Sequence, residues 1–266
     1  MMDTAAPIGL YSISVRGLDV PGLLRLAACN GVPFVHLRGG PRGFHLAAQP
    51  VATVWEWRKL AMDTVPITGV TADLDLADLL EGDSVARTQA VHDLVQLTEA
   101  ATLLGAGWVR LLARTPLQER ALADAVTLPV LARGPMPLLV ELHHPAWMDE
   151  STFAPLIGMV EACPLVRLLA DTAQLAAALP GDGSTPTWVG QVLDHVGALH
   201  LSDTGPGLHA PGHALVAGLT ADRIDAGQRM EIAVEWTGAD RSPAACLARY
   251  RAATTWWANL TAREAR

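Results

Sequence analysis

The stretch LLVELHH, residues 138–144, is an almost unbroken apolar run that ends in a carboxylate and two imidazoles. The same plan returns three times downstream, as VRLLADT at 166–172, VGALHLSD at 196–203 and IAVEWTG at 232–238. A short, continuously apolar run is what a strand buried on both faces requires, because such a strand has no wet side to fill with polar residues. Each run then delivers a side chain of metal-ligand or acid–base type at its carboxyl end: Glu141, Asp171, His200 and Glu235.

Working outward gives eight such runs: Ile8–Ser14, Phe34–Arg38, Ile67–Ala72, Trp108–Ala113, Leu138–His143, Val166–Ala170, Val196–Leu201 and Ile232–Trp236. Segments with helical spacing separate them. Leu18–Cys29, Asp149–Glu161, Ala173–Leu179, Thr187–Asp194 and Pro243–Asn259 are predicted helices. Ser84–Leu104 is the clearest, with Val85, Val91, Leu94, Val95, Leu97, Ala101 and Leu104 on one predicted apolar face. Thr115 followed by Pro116 predicts the opening of a helix over Pro116–Leu128. Pro180–Pro186 and Thr204–Gly212 read as loops. Eight alternating βα units predict an α/β chain folded as one (β/α)₈ TIM barrel, a single domain over residues 1–266. The first strand is not followed by a G-x-G-x-x-G helix opening, which argues against a dinucleotide site.

Composition narrows the function. Half of the 266 residues are hydrophobic, 17% are charged and the net charge is −8. Lys59 is the only lysine, and the arginines are scattered. A nucleic-acid partner is therefore not expected, since phosphate contacts need a basic patch. Cys29, Cys163 and Cys246 are far apart and odd in number, which suits inert thiols in a reducing compartment. The first residues lack a basic segment before their apolar stretch, and no apolar run is long enough to span a bilayer. A soluble cytoplasmic protein with no membrane partner is the expectation.

Burying a lone carboxylate at the end of an apolar strand costs several kcal/mol. A cation removes that difficulty. One imidazole and three carboxylates suit one divalent ion, Mn²⁺, Zn²⁺, Mg²⁺ or Co²⁺, better than a thiolate-preferring metal.

With VELHH, LLADTAQL, LHLSD followed by APGHALV, and AVEWTG, the second half of the chain resembles the xylose-isomerase-like superfamily. These are the sugar isomerase and epimerase barrels related to endonuclease IV. The resemblance implies Glu141, Asp171, His200 and Glu235 as the ligands of one metal, with Mn²⁺ or Zn²⁺ favoured. Glu141 and Glu235, flanking such a metal, are expected as the catalytic acid–base pair. Three departures stand beside it. Gln174 occupies the place of a His that commonly follows the strand-six Asp, the loop after His200 carries no Arg, and Trp147 stands where a second acid is common. Strands three and four lack the His ligands of the three-zinc nuclease branch.

Around the quartet, Arg38, His143, Trp147, Gln174 and Asp203 are expected at the substrate. Arg38 suits a planar anion, His143 shares the strand face of Glu141, and Trp147 would wall the pocket. Gln174 can hydrogen-bond a hydroxyl, and Asp203 is expected either to orient His200 or to shape a turn. His144 is expected to pack or cap behind the barrel. Trp55, Trp57, Trp256 and Trp257 suit helix–barrel packing or a patch for homodimer formation. The expected function is a metal-dependent isomerase or epimerase of a small sugar-like or cyclitol-like hydroxy-carbonyl compound, through an enediolate. A dehydratase or lyase using the same enolate chemistry is one alternative, and a non-catalytic ligand-binding barrel is another.

Overall fold

Eight parallel strands close into a barrel in sequence order, so that β1 pairs with both β2 and β8. The strands are β1 (Ile8–Tyr11), β2 (Val35–Arg38), β3 (Ile67–Asp75), β4 (Trp108–Ala113), β5 (Leu138–Leu142), β6 (Val166–Asp171), β7 (Val196–Asp203) and β8 (Glu231–Trp236). The structure, a computed structural model, describes residues 6–181 and 184–264. Residues 182 and 183 of the predicted loop Pro180–Pro186, and the first five residues of the chain, lie outside the described residues. Strand six runs to Asp171 and strand seven to Asp203, past their expected ends, and strand one stops at Tyr11, where Ser12–Ser14 turn as a short 3₁₀ helix.

The helices are α1 (Val20–Cys29), α2 (Val51–Asp63), α3 (Leu76–Leu80), α4 (Ser84–Leu104), α5 (Glu119–Asp124), α6 (Pro129–Ala132), α7 (Glu150–Ala162), α8 (Thr172–Ala178), α9 (Thr187–Asp194), α10 (His213–Asp225) and α11 (Pro243–Glu264). Asp83 caps α4 by accepting the amides of Val85 and Ala86, and Gly105 ends it at a φ of 95°. That left-handed turn is open to glycine at no steric cost. The buried face of α4 is Ala90, Leu94, Leu97, Thr98, Ala101 and Leu104. Val85 and Val95, expected on that face, are exposed instead. The true stripe is narrower than the predicted face.

The predicted helix over Pro116–Leu128 is shorter than expected. It starts at Glu119, and Ala125–Thr127 form a 3₁₀ turn. Leu117 is buried, and the Gln118 amide donates to Glu81 Oε1, which holds residues 117–118 outside the helix.

Strand alternation divides the core in two. Outward residues such as Leu10, Leu37, Val70, Leu111, Val140, Leu199 and Val234 pack beneath the helices in one large cluster. Inward residues Trp108, Leu139, Leu169 and Ala198 form a separate small layer inside the barrel. Gly69 makes room for that layer, since a Cβ there would come within 2.0 Å of the Trp108 ring. Above it, the inward positions include Tyr11, His36, Arg110, Glu141, Asp171, His200 and Glu235. TIM-barrel interiors are usually filled by branched aliphatic side chains. Here the carboxyl half of the interior is polar, and that is where the candidate site lies.

Candidate active site

Each member of the expected quartet comes from the carboxyl end of its own strand. Asp171 and His200 are direct register partners across β6 and β7. Glu141, Asp171 and His200 are buried, and the Glu235 side chain is 13% exposed.

Glu141 is surrounded by donors. Its Oε1 lies 3.0 Å from His143 Nε2 and accepts from Gln174 Nε2 at 3.1 Å. Its Oε2 lies 2.8 Å from Arg110 Nε in an ion pair. That N–H does not aim at the oxygen, so both Arg110 Nε and Glu141 Oε2 are left without a directed hydrogen bond. Arg110 is itself buried, and it donates to the Ala72 carbonyl and to the Tyr11 hydroxyl. Burial opposes ionisation of Glu141, but Arg110, His143 and His200 outweigh it and hold the carboxyl down at about 2.

Asp171 and Glu235 respond in the opposite direction. Burial, with the charge of Glu141 beside it, pushes Glu235 up to about 8. Burial and the charges of Glu235 and Glu141 raise Asp171 well above the usual carboxylate range. Asp171 also accepts the Gln174 amide and so caps α8.

His200 is enclosed on both nitrogens. Nδ1 lies 2.9 Å from Glu235 Oε2, and Nε2 lies 3.0 Å from His36 Nδ1. The Tyr11 ring stacks on the imidazole with centroids 4.8 Å apart. Burial holds His200 and His36 each down to about 4, so both rings are neutral at pH 7. Burial likewise pushes Tyr11 up to about 12.

The surrounding residues sort by their contacts. His143 and Gln174 are drawn onto Glu141 as expected, and they meet each other at 3.3 Å. Gln174 Oε1 is buried without a partner. A cavity of about 120 Å³ beside them is lined by His143, Pro145, Gln174 and Leu175. Arg38 lies 3.6 Å from Asp73, and its charge acts on Glu235.

Trp147 corrects the expectation that it walls the pocket. It is fully buried, and its indole N–H donates to the Ala113 carbonyl at the end of β4, so it packs behind the strands. Asp203 takes the turn role. Its Oδ1 accepts the amides of Gly205 and Gly207 and its Oδ2 pairs with Arg249, while both nitrogens of His200 are engaged by His36 and Glu235. His144 caps the short turn after β5 through the Ala146 amide.

Sequence reasoning missed Tyr11, His36, Arg110 and Glu231. Arg110 carried a signal, as the one charge inside the apolar run WVRLLA. His36 shares a strand face with Arg38, and Glu231 with Glu235, so alternation would have placed both inside.

The donor set can be tested against a divalent cation. Three carboxylates face one guanidinium, which leaves two negative charges when all are ionised, and Glu141 Oε2 is a buried acceptor without a directed partner. Charge and donor chemistry therefore fit a dication. Among the described residues, no three His, Cys, Asp or Glu side chains converge closely enough to hold one as they stand. Glu141 is turned to Arg110 and His143, and Glu235 to His200.

No protein-family profile matches the sequence, and no curated protein matches it significantly. Solved structures do match by shape. D-psicose 3-epimerase from Clostridium cellulolyticum H10 is 13% identical, with a TM-score of 0.72 over 96% of this chain and 99% of that one. The 3-keto-D-glucoside 4-epimerase YcjR of E. coli is 16% identical, with a TM-score of 0.67 over 96% and 100%. A xylose isomerase-like TIM barrel protein from Mycobacterium smegmatis, in complex with magnesium, is 16% identical, with a TM-score of 0.64 over 97% and 98%. By shape, therefore, the chain shares the closed eight-stranded TIM-barrel fold of these structures.

Proposed function

We propose that this barrel is a metal-dependent isomerase or epimerase acting on a small sugar-like or cyclitol-like hydroxy-carbonyl compound. Glu141, Asp171, His200 and Glu235 would hold one divalent ion. The observation that carries the reading is the buried cluster of three carboxylates with a single guanidinium, at the end of a barrel where active sites form. The epimerases among the similar structures, and the magnesium bound in one barrel of this shape, support the same class.

A divalent ion, when bound, would supply Lewis-acid polarisation of the substrate carbonyl. The chain's own groups supply the proton chemistry. Glu141, held ionised, is the base for the C–H next to that carbonyl, and Glu235 is the acid that returns a proton. Return to the same carbon from the opposite face gives epimerisation, and return to the neighbouring carbon gives isomerisation. Gln174 Oε1, buried and unpartnered, accepts from a substrate hydroxyl. His143 holds the Glu141 carboxylate at the open side of the site, and Arg38 offers a cation to a substrate oxygen.

The test starts with elemental analysis of protein grown with Mn²⁺ or Zn²⁺. About one ion per chain is expected, strongly reduced in a Glu141→Gln/Glu235→Gln double variant. Deuterium uptake from D₂O into a panel of ketoses, aldoses and inososes is then expected with the wild type and absent with the variant. A wild-type chain that binds no metal under any supply sinks the metal reading. Metal binding without exchange into any member of the panel makes the barrel a binder.

A further inference from the structure

A line of four side chains crosses the barrel interior from its amino end up into the proposed site. Glu231 opens β8 at the amino end of the barrel, and its side chain is 32% exposed. Its Oε2 lies 3.0 Å from His36 Nε2. His36 Nδ1 lies 3.0 Å from His200 Nε2, and His200 Nδ1 lies 2.9 Å from Glu235 Oε2. Glu231 and Glu235 are four residues apart on one face of one strand, so the two imidazoles bridge the two ends of β8 through the interior.

The direction of this chain follows from hydrogen counting. Glu231 Oε2 also receives the Trp108 indole N–H at 3.0 Å and the Thr68 hydroxyl at 2.9 Å. An indole nitrogen can only donate, so this oxygen is an acceptor. His36 Nε2 must then carry its hydrogen. A neutral imidazole has one N–H and one bare nitrogen, so His36 Nδ1 is bare and takes the hydrogen on His200 Nε2. His200 Nδ1 is in turn left bare.

We propose that Glu231, Trp108 and His36 are positioning residues that fix His200 in its Nε2–H tautomer and present a bare Nδ1 to the carboxylate cluster. A hydrogen bond at one imidazole nitrogen commonly decides what the other nitrogen can do. The bare Nδ1 stands in the metal-free chain, where its 2.9 Å contact asks for a hydrogen on Glu235. Its use as a metal donor rests on the function proposed above. Glu231, Trp108, His36 and His200 lie on β8, β4, β2 and β7, so the tautomer is set by barrel closure and by no local sequence.

Long-range ¹H–¹⁵N correlation of the ¹⁵N-histidine-labelled, metal-free full chain at neutral pH reads the tautomer directly. The wild type is expected to show His200 and His36 both as Nε2–H with a bare Nδ1. Glu231→Gln keeps an acceptor oxygen and is expected to preserve that pattern. Glu231→Met has similar bulk but no acceptor, and is expected to move His200 toward the Nδ1–H form. A role in packing alone would leave the tautomer unchanged in Glu231→Met. Wild-type His200 in the Nδ1–H form would overturn the proposal without any variant, and so would an Nε2–H form that persists in Glu231→Met. Adding Zn²⁺ to the same sample is a separate reading. A perturbed His200 Nδ1 resonance supports the metal site, and an unperturbed one counts against the metal while leaving the tautomer result as measured.

Discussion

Arg110 shows how one side chain sets the electrostatics of its neighbours. Without it, three buried carboxylates would share a low-dielectric space with no countercharge. With it, Glu141 ionises and the repulsion falls on Asp171 and Glu235. Arg110→Met should therefore destabilise the metal-free chain by roughly 3–5 kcal/mol, the usual consequence of stranding a buried charge. Denaturant unfolding with and without Zn²⁺ is the check. The loss is expected to shrink when Zn²⁺ is present, because the ion would replace the missing charge, and an unchanged midpoint in the metal-free variant would contradict the assignment. At this scale the quartet was legible, because each member stands out at the end of an apolar run. Arg110, His36 and Glu231 were less so, since a lone polar residue in a strand does not disclose what it faces across the barrel.

Among the elements, β3 and β4 depend on one close approach. The Trp108 ring lies over Gly69, and its indole N–H reaches Glu231. Gly69→Ala places a methyl inside the ring's space, and overpacking of this kind costs typically 1–3 kcal/mol. The variant should unfold at a lower temperature, with a change in tryptophan fluorescence as the indole moves; an unchanged melting temperature would refute the packing argument. At the start of α4, Asp83→Ala removes the acceptor for two amide donors, with an expected loss of about 1 kcal/mol in chemical unfolding. The bounds of α4 were readable because a cap, a glycine and the periodicity agree there. The bounds of α5 were not, because burial of Leu117 and a bond from Glu81 outweighed the Thr115–Pro116 signal. Trp147 failed as a pocket wall for a similar reason. Its sequence neighbours belong to the site, but its ring turns to the Ala113 carbonyl.

For the whole molecule, the buried ionisable groups give stability a dependence on pH. Glu235 has its folded value raised to about 8 from an ordinary 4.5. Its contribution is therefore complete below 4.5 and is lost as pH rises through about 8. His36 and His200 are lowered to about 4 from 6.5, so their contribution is present above 6.5 and lost as pH falls through about 4. Above 6.5 only the carboxylate effect remains. The melting temperature of the metal-free chain should thus decline between pH 6.5 and 8, and Glu235→Gln should flatten that decline. A divalent ion should flatten it too, by stabilising the ionised carboxylates and by binding the folded state alone. A wild-type profile that is level over this range would show that Glu235 is not held protonated.

The sequence by itself determined the barrel and the four ligand-type residues at its mouth. Continuous apolar runs recurring at βα spacing leave few other ways to bury both faces of eight strands, and strand direction then assigns their carboxyl ends to one rim. Only the tertiary structure decided the company those residues keep. Arg110 meets Glu141 from the neighbouring strand, and His36 meets His200 across the interior, 164 residues away in sequence. Such pairings depend on closure, register and the inward turn of each side chain. Local periodicity reports which face a residue is on, and it carries no information about the side chain that arrives opposite.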